Sequence, residues 1–542
     1  MSDKKISGVL VGGISLSLNT DEEEAYKIAA TEMKRAGLSP ARIHFNLCKR
    51  SIDARKKDDI KIVYSIAARF DEAIDKAAFN RCKYHISLLE DETLDVRYGC
   101  EKTKERPLVV GMGPCGLFAA LLLAENGYCP IIIDRGDPID KRIEAYKQFV
   151  KYGILDTESN IQFGAGGAGT FSDGKLLTRI NDPKISYVLE RFCEFGAPKE
   201  ILYAAKPHIG TDLLSGIVNK MLERIKALGG KVIYRCLLEN FFENNDGTVT
   251  AKTNQGEIIC SSVVLAIGHS SRDTYETLID KGCAIEPKSF SVGVRIEHLR
   301  EDIDKALYGK FAGHEKLGKG EYHLSDTTSG RGVYTFCMCP GGTVVAAASE
   351  EGGVVVNGMS CFARNGINSN SAVAVSVRPS DLDGTPLGAI EFQRKLERAA
   401  FLAGGGDYSA PVQTVGDFMG DVRGTEPKRI LPTYRDGKVK LSEMREILPD
   451  FVVSELKLGL SSFNKKLKGF ACADAVLSGV ESRTSAPLRI LRNENMIAIG
   501  YGRIYPCGEG AGYAGGITSA AVDGIRVALK IIERFEPLEV KN

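Results

Sequence analysis

The sequence has no tryptophan, no Cys-x-x-Cys pair and, in its most apolar stretch near the first glycine motif, no run long enough to cross a membrane. That stretch, LFAALLLA at residues 117–124, is far shorter than the roughly 20 residues that a spanning helix needs. The missing Cys-x-x-Cys pair removes the usual pattern of a structural zinc site, and no metal site is predicted. The absence of tryptophan bears on neither point.

An excess of charge of one sign is also missing. The 542 residues carry a net charge of +1, so no overall field favours nucleic acid, a membrane surface or an acidic partner. The polar N-terminus, MSDKKISGVLVGG, lacks the sustained apolar region of a signal peptide. The 14 cysteines are scattered, as in a cytoplasmic protein whose thiols are mostly buried. We therefore expect a soluble, cytoplasmic protein with no membrane partner.

The chain is too long for one core, and its patterns divide it into four segments. Residues 1–100 are typical of a small α+β domain, with strand-like SGVLVGGISLSL, a helix capped by Thr20 and the alternating strand DIKIVYSIAARF. Residues 101–275 begin with strand, turn, helix and strand, the order of a parallel sheet. Residues 276–480 are predicted to form a substrate or capping domain. Residues 481–542 again place a glycine-rich turn before a helix.

Three glycines follow the first strand of the second segment, in 107-PLVVGMGPCGLFAALLLAENG-127. Gly111 allows a tight turn out of the strand, Gly113 lets the backbone approach a pyrophosphate, and Gly116 lets the helix pack closely on the strand. The N-terminus of that helix presents free N–H groups and a partial positive charge to phosphates. A tight turn without a ligand is the alternative. The strand before, the helix after and an acid at the right distance favour dinucleotide binding.

The acid is Asp134, which ends the strand CPIIID 18 residues after Gly116. A carboxylate at this place can accept hydrogen bonds from a ribose diol, whereas a 2′-phosphate would need an arginine there. Arg135 is adjacent, but the aspartate comes first and would repel the phosphate. The pattern therefore favours adenosine without a 2′-phosphate, as in FAD or NAD.

Three further segments favour FAD over NAD. The glycines of 162-QFGAGGAGTFSDGKL-176 supply flexible backbone where side chains would obstruct a planar ring. The buried strand in 263-VVLAIGHSSRDT-274 ends in a glycine. The segment 505-YPCGEGAGYAGGITSAAVDG-524 places glycines and an acid before a second helix. The dipole of that helix would stabilise the negative charge that develops when a flavin is reduced.

Together these segments resemble the glutathione-reductase-like FAD superfamily and, more closely, a poorly characterised bacterial family of FAD-dependent dehydrogenases. Further matching strings are SIDARKKDDIKIVY, KPHIGTD, SVGVRIEH, GVYTFCMCPGG, NGMS and ESRTSAPLRI, and the match runs from residue 51 to 524. The resemblance implies an α/β fold with a Rossmann-like, glutathione-reductase-like FAD-binding domain. An inserted α+β substrate domain and a small N-terminal α+β (ferredoxin-like) domain complete it. The implied cofactor is FAD, and the substrate stays open.

The resemblance also implies a flavin site. Pyrophosphate is expected at the first glycine motif, the adenosine ribose at Asp134, and the flavin along residues 166–170. Glu509 stands where many superfamily members carry aspartate, and it should contact the ribityl chain or the ring. The predicted cofactor-binding residues are Gly111, Gly113, Pro114, Cys115, Gly116, Asp134, Arg135, Gly166, Gly167, Ala168, Gly169, Thr170, Gly268, Gly508, Glu509, Gly515, Gly516 and Ile517.

Since a flavin itself carries out hydride transfer, the remaining candidates bind substrate or move a proton. Arg272, His269 and His208 lie in the matching strings and are predicted to be catalytic. A guanidinium at Arg272 can grip a carboxylate with two hydrogen bonds; the alternative is an arginine that ties two loops together. His269 can exchange protons near neutrality, although a structural histidine is commoner. The same strings hold Arg295, His298, Arg483 and Arg489.

Cys337 and Cys339 are two residues apart on a predicted strand, so their side chains face the same way. Adjacent thiols can exchange electrons with a flavin, but two buried core cysteines are the commoner arrangement. The C-x₄-C pair of flavin disulfide reductases is missing beside the first FAD segment. Both interpretations stay open, and the second is favoured.

The basic cluster 49-KRSIDARKK-57 can contact RNA, which some flavoproteins of this superfamily modify. Asp58 and Asp59 follow the cluster directly, and this favours a solvated face or a set of interdomain salt bridges. Nucleic acid is therefore not the expected partner. The five basic residues concerned are Lys49, Arg50, Arg55, Lys56 and Lys57.

Outside the segments assigned to the flavin, no second G-x-G-x-x-G stands between a strand and a helix, and 404-GGGDYSAP-411 lacks a following apolar helix. Electrons can then come from the substrate, from NAD(P)H that docks transiently or from a protein donor. The predicted function is FAD-dependent oxidoreduction, with hydride transfer between flavin N5 and a small organic molecule, for which an anion is one option. The alternatives are a flavin-dependent RNA-modifying enzyme and a flavin-bound sensor or assembly partner without catalysis.

Overall fold

The computed structural model describes residues 6–38, 42–70, 76–90 and 94–538. The N-terminal part is an antiparallel sheet of four strands with one helix packed on it. Its elements are β1 (Ile6–Ser17), α1 (Glu23–Arg35), β2 (His44–Asp53), β3 (Lys61–Arg69) and β4 (His85–Glu90), and the strand order is β2-β3-β1-β4.

The strand predicted in DIKIVYSIAARF is β3, whose Ile62, Tyr64 and Ile66 alternate into the core. The predicted cap of α1 is wrong. Glu22 precedes the helix without a side-chain cap, and the hydroxyl of Thr20 is instead 2.9 Å from that of Ser17. The ferredoxin-like assignment stays a prediction, because residues 71–75 lie outside the described chain and only a short 3-10 helix precedes β4.

The basic cluster lies on β2 and the turn after it, and part of it joins the N-terminal sheet to the rest of the protein. The backbone N–H of Arg50 donates to the carbonyl of Tyr203 (2.7 Å), and its guanidinium donates to the carbonyl of Lys316 (3.1 Å). Arg55, in the turn after β2, pairs with Asp53 at the end of that strand. These contacts favour the interdomain interpretation over an RNA surface.

The second part of the chain alternates strands and helices before a three-stranded antiparallel sheet. Its elements are β5 (Leu108–Val110), α2 (Pro114–Glu125), β6 (Ile131–Ile133), α3 (Ile139–Tyr152), α4 (Lys184–Glu194), α5 (Thr211–Ala227), β7 (Lys231–Ile233), β8 (Leu238–Glu243), β9 (Val249–Thr253), β10 (Gly256–Cys260), β11 (Val263–Leu265) and α6 (Arg272–Asp280).

The remaining part is built around a seven-stranded sheet of order β14-β15-β18-β13-β21-β19-β20. The elements are β12 (Ile285–Pro287), β13 (Phe290–Leu299), α7 (Arg300–Tyr308), β14 (Ser325–Asp326), β15 (Val333–Cys339), β16 (Thr343–Ala346), β17 (Val356–Met359), β18 (Asn368–Val377), α8 (Pro386–Ala403), β19 (Ala410–Thr414), α9 (Val415–Gly420), β20 (Val439–Leu441), α10 (Asp450–Lys466), β21 (Val476–Glu481), β22 (Leu488–Ile490), β23 (Ile504–Pro506) and α11 (Ile517–Arg534).

A five-stranded parallel sheet of order β23-β11-β5-β6-β7 positions the site. Its β5 and β11 are fully buried, and α2 and α11 pack beside them in one apolar core. The α/β fold class is thereby confirmed. The predicted domain boundaries stay a prediction: the one at 275/276 falls inside α6 and the one at 480/481 inside β21.

Within the described chain, none of the helices combines the length and the apolar character that a bilayer crossing requires. The cytoplasmic location stays a prediction.

Candidate flavin site

Four stretches of the chain line one cavity of about 310 Å³ at the carboxyl ends of the parallel strands. They are residues 110–115 after β5, 162–177, 266–274 after β11 and 507–520 after β23. Ligands of open α/β sheets bind at this edge, and the volume lies within the roughly 300–1,000 Å³ of small-molecule sites. The predicted cofactor residues in its wall are Gly111, Gly113, Pro114, Cys115, Asp134, Arg135, Gly167, Ala168, Gly169, Gly268, Glu509, Gly515, Gly516 and Ile517.

The three glycines of the first motif differ in what surrounds them. Gly111 has φ +103°, and a Cβ there would lie 2.3 Å from the carbonyl oxygen of Ala266. A Cβ at Gly116 would lie 1.9 Å from the carbonyl oxygen of Gly111. A Cβ at Gly113 would have no neighbour closer than 3.9 Å, and this glycine lines the cavity. The outer two glycines therefore permit the fold, and the middle one keeps the cavity open to a ligand.

Two helices begin at the cavity wall, α2 after Gly113 and α11 after Gly516, and neither has a side-chain cap. Their first N–H groups therefore lack intrahelical partners and can donate to an anionic or carbonyl ligand. Gly515 and Gly516 have no atom within 4 Å of an added Cβ. An open glycine cradle between two helix N-termini fits the diphosphate and the planar ring of FAD.

Asp134 has more partners in the protein than the sequence suggests. Its buried carboxylate accepts hydrogen bonds from the N–H groups of Met112 (2.8 Å), Gly136 (2.9 Å) and Gly164 (2.8 Å). It thus ties the first glycine motif to the loop at residue 164 and still lines the cavity. Its contact with a ribose stays a prediction.

Arg135 also lines the cavity, and its guanidinium is bound by Glu158 (2.8 and 2.9 Å) and Asp273 (2.8 Å). Two carboxylates beside this arginine disfavour a 2′-phosphate, in agreement with the preference for FAD or NAD.

Four predicted cofactor residues do not line the cavity and instead support its walls: Gly116, Gly166, Thr170 and Gly508. Gly166 has φ +84°, and a Cβ there would lie 1.9 Å from the hydroxyl of Thr170. The N–H of Gly508 donates to Asp523 (2.8 Å). These residues shape the loops, so direct contact with the cofactor is not expected of them.

Arg272 does not line the cavity either, so a direct grip on substrate is not supported. Its side chain is 2% exposed, and it donates to Glu397 (2.7 and 2.9 Å), Glu350 and Gln393 (3.2 Å). Glu397 also accepts from Arg483 (2.8 and 3.0 Å). Arg272 therefore has the contacts of the structural alternative, because it ties α6 to α8.

Of the two predicted catalytic histidines, only His269 lines the cavity. Burial and the neighbouring charges of Arg483 and Arg272 lower the pKa of His269 to about 4. This imidazole is neutral at pH 7, so it can hydrogen-bond a ligand but cannot supply a proton readily. His208 lies outside the cavity, 3.0 Å from the carbonyl oxygen of Phe362. Burial and Arg364 lower its pKa as well.

The other candidates of the matching strings have internal partners. Arg295 pairs with Glu481 (2.8 and 3.0 Å). His298 is buried against the carbonyl oxygen of Phe470 (2.6 Å). Arg489 lies 3.7 Å from Glu286. Among these candidates, Arg483 does line the cavity.

Sequence reasoning missed several polar side chains in the cavity wall. Asp173, Lys175, Asn357 and Thr484 line it, and only the first two belong to the glycine-rich segment already singled out. Lys175 donates to Asp173 (2.6 Å) and to the carbonyl oxygen of Met338. Burial opposes the charge of Lys175, but Asp173 and Glu321 outweigh it and raise its pKa. The motif S-D-G-K was the available signal, because it places an acid and a base beside a predicted flavin loop.

Glu509 is the titratable group of the cavity wall whose pKa is moved closest to neutrality. Burial raises it to about 7, and Lys288 opposes the shift only partly. Within the described chain no side-chain hydrogen bond to Glu509 is found. A carboxyl group with this pKa is suited to gain or lose a proton as the charge of a neighbouring ligand changes.

The pH dependence of stability should reveal Glu509. Because its pKa is raised in the folded state, Glu509 does not lower the free energy of unfolding at pH values below its unfolded pKa of 4.5. The loss of stability grows as the pH rises toward 7. Glu509→Gln should therefore make the apoprotein more stable at pH 8, by at most about 3 kcal/mol, and should have little effect at pH 4.5. Urea unfolding at both pH values measures this. Equal effects at the two pH values would contradict the raised pKa.

Comparison with known protein families supports FAD as the cofactor. Residues 289–484 match a family described as "FAD-dependent protein, C-terminal domain-like", and residues 13–69 match a domain of unknown function. The prediction of FAD as the cofactor is confirmed. The first of these matches spans the part of the chain that was predicted to be the substrate domain.

An uncharacterised protein of Clostridium beijerinckii is 48% identical to this chain over 533 residues, which cover 97% of this chain and 99% of the relative. The chain therefore belongs to the same family as this clostridial protein.

Solved flavoenzymes are more distant. CtdE in complex with FAD is 12% identical, with a TM-score of 0.31 over 80% of this chain and 87% of that one. FqzB is 13% identical, with a TM-score of 0.35 over 80% and 78% of the two chains. The halogenase PltM is 10% identical, with a TM-score of 0.34 over 79% and 68%. Likenesses this low carry no argument about substrate or reaction.

Proposed function

We propose that the protein is an FAD-dependent oxidoreductase that transfers hydride between flavin N5 and a small anionic organic substrate. The observation that supports this is the convergence of four stretches, up to about 400 residues apart in the chain, on one glycine-lined cavity with two uncapped helix N-termini. The finer assignment, to a dehydrogenase of the glutathione-reductase-like superfamily, is part of the proposal.

Different residues of the chain would hold different parts of the cofactor. The open backbone at Gly113 and the N-terminus of α2 would face the diphosphate, as their free N–H groups suit an anion. The N-terminus of α11 and Glu509 would face the ring. When bound, FAD supplies the hydride chemistry. His269 stays neutral and can orient a ligand by hydrogen bonding, and Glu509 can hold or release a proton.

Lys175 is the residue that supports an anionic substrate. An ammonium group has three donors, and within the described chain Lys175 uses two of them, toward Asp173 and the carbonyl oxygen of Met338. Its side chain is partly exposed and lines the cavity, and the carboxylate of Glu321, its third polar neighbour, lies 3.9 Å away, which is too far for a hydrogen bond. A third donor is therefore available to a ligand. Asn357 and Thr484 add uncharged polar groups to the same wall.

A screen for the oxidising substrate tests the proposal. The FAD-loaded protein is reduced under anaerobic conditions, and metabolite pools are searched for compounds that restore the oxidised spectrum. We expect the active compounds to be small and anionic. If no compound reoxidises the flavin, the proposed activity is wrong; if the protein does not take up FAD at all, the cofactor site is also wrong.

Lys175→Met should keep FAD but raise the KM for the substrate found in that screen. Loss of one charge-assisted hydrogen bond of about 1.5–3 kcal/mol predicts a rise of roughly 10- to 100-fold. Lys206→Met is the matched control, because Lys206 is an exposed lysine outside the cavity wall. Steady-state kinetics of both variants give the answer. An unchanged KM in Lys175→Met would contradict the role of this lysine.

A further inference from the structure

Two cysteines at the end of β15 stand beside the proposed flavin site. Cys337 lines the cavity, and Cys339 is fully buried behind it. Cys337 also has φ +43°, a left-handed conformation that few residues other than glycine adopt. Such conformations outside glycine cost energy and are concentrated at functional sites.

A β-bulge interrupts β15 at the two cysteines. Phe336 on β15 faces Ala372 on β18, but Cys339 faces Asn370, so two residues of β15 lie opposite one of β18. In a regular strand, residues two apart have Cα atoms about 6.6 Å from each other, near the upper limit for a disulfide. The bulge bends the strand at Cys337, and the thiol of Cys339 donates to the carbonyl oxygen of Cys337 (3.3 Å).

The charges around the pair favour one thiolate and one thiol. The interaction with the side chain of Cys339 lowers the pKa of Cys337 to about 6; Arg295 and Lys175 add to this, while burial and Glu481 oppose it. The pKa of Cys339 is raised by its interaction with the side chain of Cys337 and by burial. The two cations also hold the backbone of the bulge. Arg295 donates to the carbonyl oxygen of Cys337 (3.1 Å).

We propose that Cys337 and Cys339 are a redox-active dithiol that exchanges two electrons with the flavin held in this cavity. The inference rests on the proposed binding of FAD. In the oxidative direction the S–S bond forms between the two sulfurs, Cys339 releases its proton, and the two electrons and one proton pass to FAD, which becomes FADH⁻. In the reductive direction the same bond breaks and Cys337 leaves as the thiolate.

Such a pair supplies an electron route in a chain that has no second dinucleotide motif outside the segments assigned to the flavin. Cys337 is reachable through the cavity, whose rim carries the exposed side chains of Phe336 (36%) and Leu177 (62%). The external partner of this half-reaction is a small thiol or disulfide that attacks, or is attacked at, Cys337. The cysteine closer to the cavity is also the one with the lowered pKa, as an attacking thiol requires.

The number of electrons taken up per flavin tests the inference. Anaerobic reduction of the fully oxidised, FAD-loaded protein should consume two electrons more than reduction of Cys339→Ser or Cys337→Ser, because these variants lack the disulfide. The other thiol pair of the cavity wall, Cys115 and Cys507 with sulfurs 2.8 Å apart, is the same in all three proteins. Cys100→Ser, which removes an exposed cysteine elsewhere in the chain, should match the wild-type protein. Equal electron counts in the wild-type protein and the two variants would overturn the inference while leaving FAD binding intact.

The apoprotein gives a second test that does not depend on the flavin. After treatment with oxidised glutathione, peptide mass mapping should find Cys337 and Cys339 linked to each other. In the reduced apoprotein, alkylation of Cys337 by iodoacetamide should rise with a midpoint near pH 6, against about 8.5 for an ordinary thiol. Separate thiols and an ordinary midpoint would overturn the inference. A linked pair in a protein that refuses FAD would instead contradict the proposed function.

Discussion

Replacing Gly113 with valine should abolish FAD binding and leave the fold intact. Gly113 has extended backbone angles, which valine adopts readily, and no atom lies within 3.9 Å of an added Cβ. The isopropyl group would occupy the cavity where the backbone is proposed to meet a diphosphate. We expect the affinity for FAD to fall at least 100-fold, about 3 kcal/mol, with an unchanged unfolding midpoint of the apoprotein. Fluorescence titration with FAD and urea unfolding measure the two quantities.

Gly116→Ala is the matched control in the same motif, and its effects should be reversed. Alanine favours a helix over glycine by about 1 kcal/mol, but the new Cβ would lie 1.9 Å from the carbonyl oxygen of Gly111. The backbone at residues 111 and 116 cannot move freely to relieve this clash, so we expect the free energy of unfolding to fall by about 3 kcal/mol. If Gly113→Val binds FAD like the wild-type protein, the diphosphate does not lie against this glycine.

The second large effect is expected at Glu397, whose carboxylate holds both Arg272 and Arg483. Glu397→Ala would leave two buried guanidinium groups with one carboxylate partner fewer. Removal of one member of a buried ion pair costs about 3–5 kcal/mol, and we expect that loss in the free energy of unfolding. Urea unfolding at pH 7 is the measurement.

Glu391→Ala on the same helix, α8, controls for helix propensity and net charge. Glu391 pairs with Arg394 (2.7 Å), but its side chain is 64% exposed, so a change below about 1 kcal/mol is expected. The two arginines hold the pKa of Glu397 well below its usual 4.5, against the effect of burial. The contribution of Glu397 is therefore complete above pH 4.5 and is lost progressively at lower pH. Equal losses in the two variants would contradict a buried network.

Local patterns sufficed to predict the cofactor loops. Gly111, Gly113 and Gly116 follow one strand and start one helix. Their spacing alone predicts that Gly111 and Gly116 must be small for the fold and that Gly113 faces the ligand. The segment 505–524 was found for the same reason. The seven-stranded sheet was harder to predict, because strands such as β13 are buried along nearly their whole length and show no alternation.

Long-range partners could not be predicted. Arg272 follows a strand that reaches the cavity, and only the folded chain shows that its partner is Glu397, on a helix 125 residues later. Cys337 is a different case. The spacing of Cys337 and Cys339 in the sequence was compatible both with a redox-active pair and with two buried core cysteines. The left-handed residue and the bulge that support the redox proposal depend on pairing with β18, which the sequence around Cys337 does not encode.

The position of β23 in the parallel sheet has a consequence for biosynthesis. This strand lies beside β11 at the edge of the sheet, yet its residues 504–506 follow β11 by about 240 residues in the chain. A nascent chain that stops short of them lacks one side of the cavity, including the N-terminus of α11. Incorporation of the yellow cofactor is thus expected only after β23 and α11 have been synthesised, which makes it a sensitive readout for chains that are truncated before these elements.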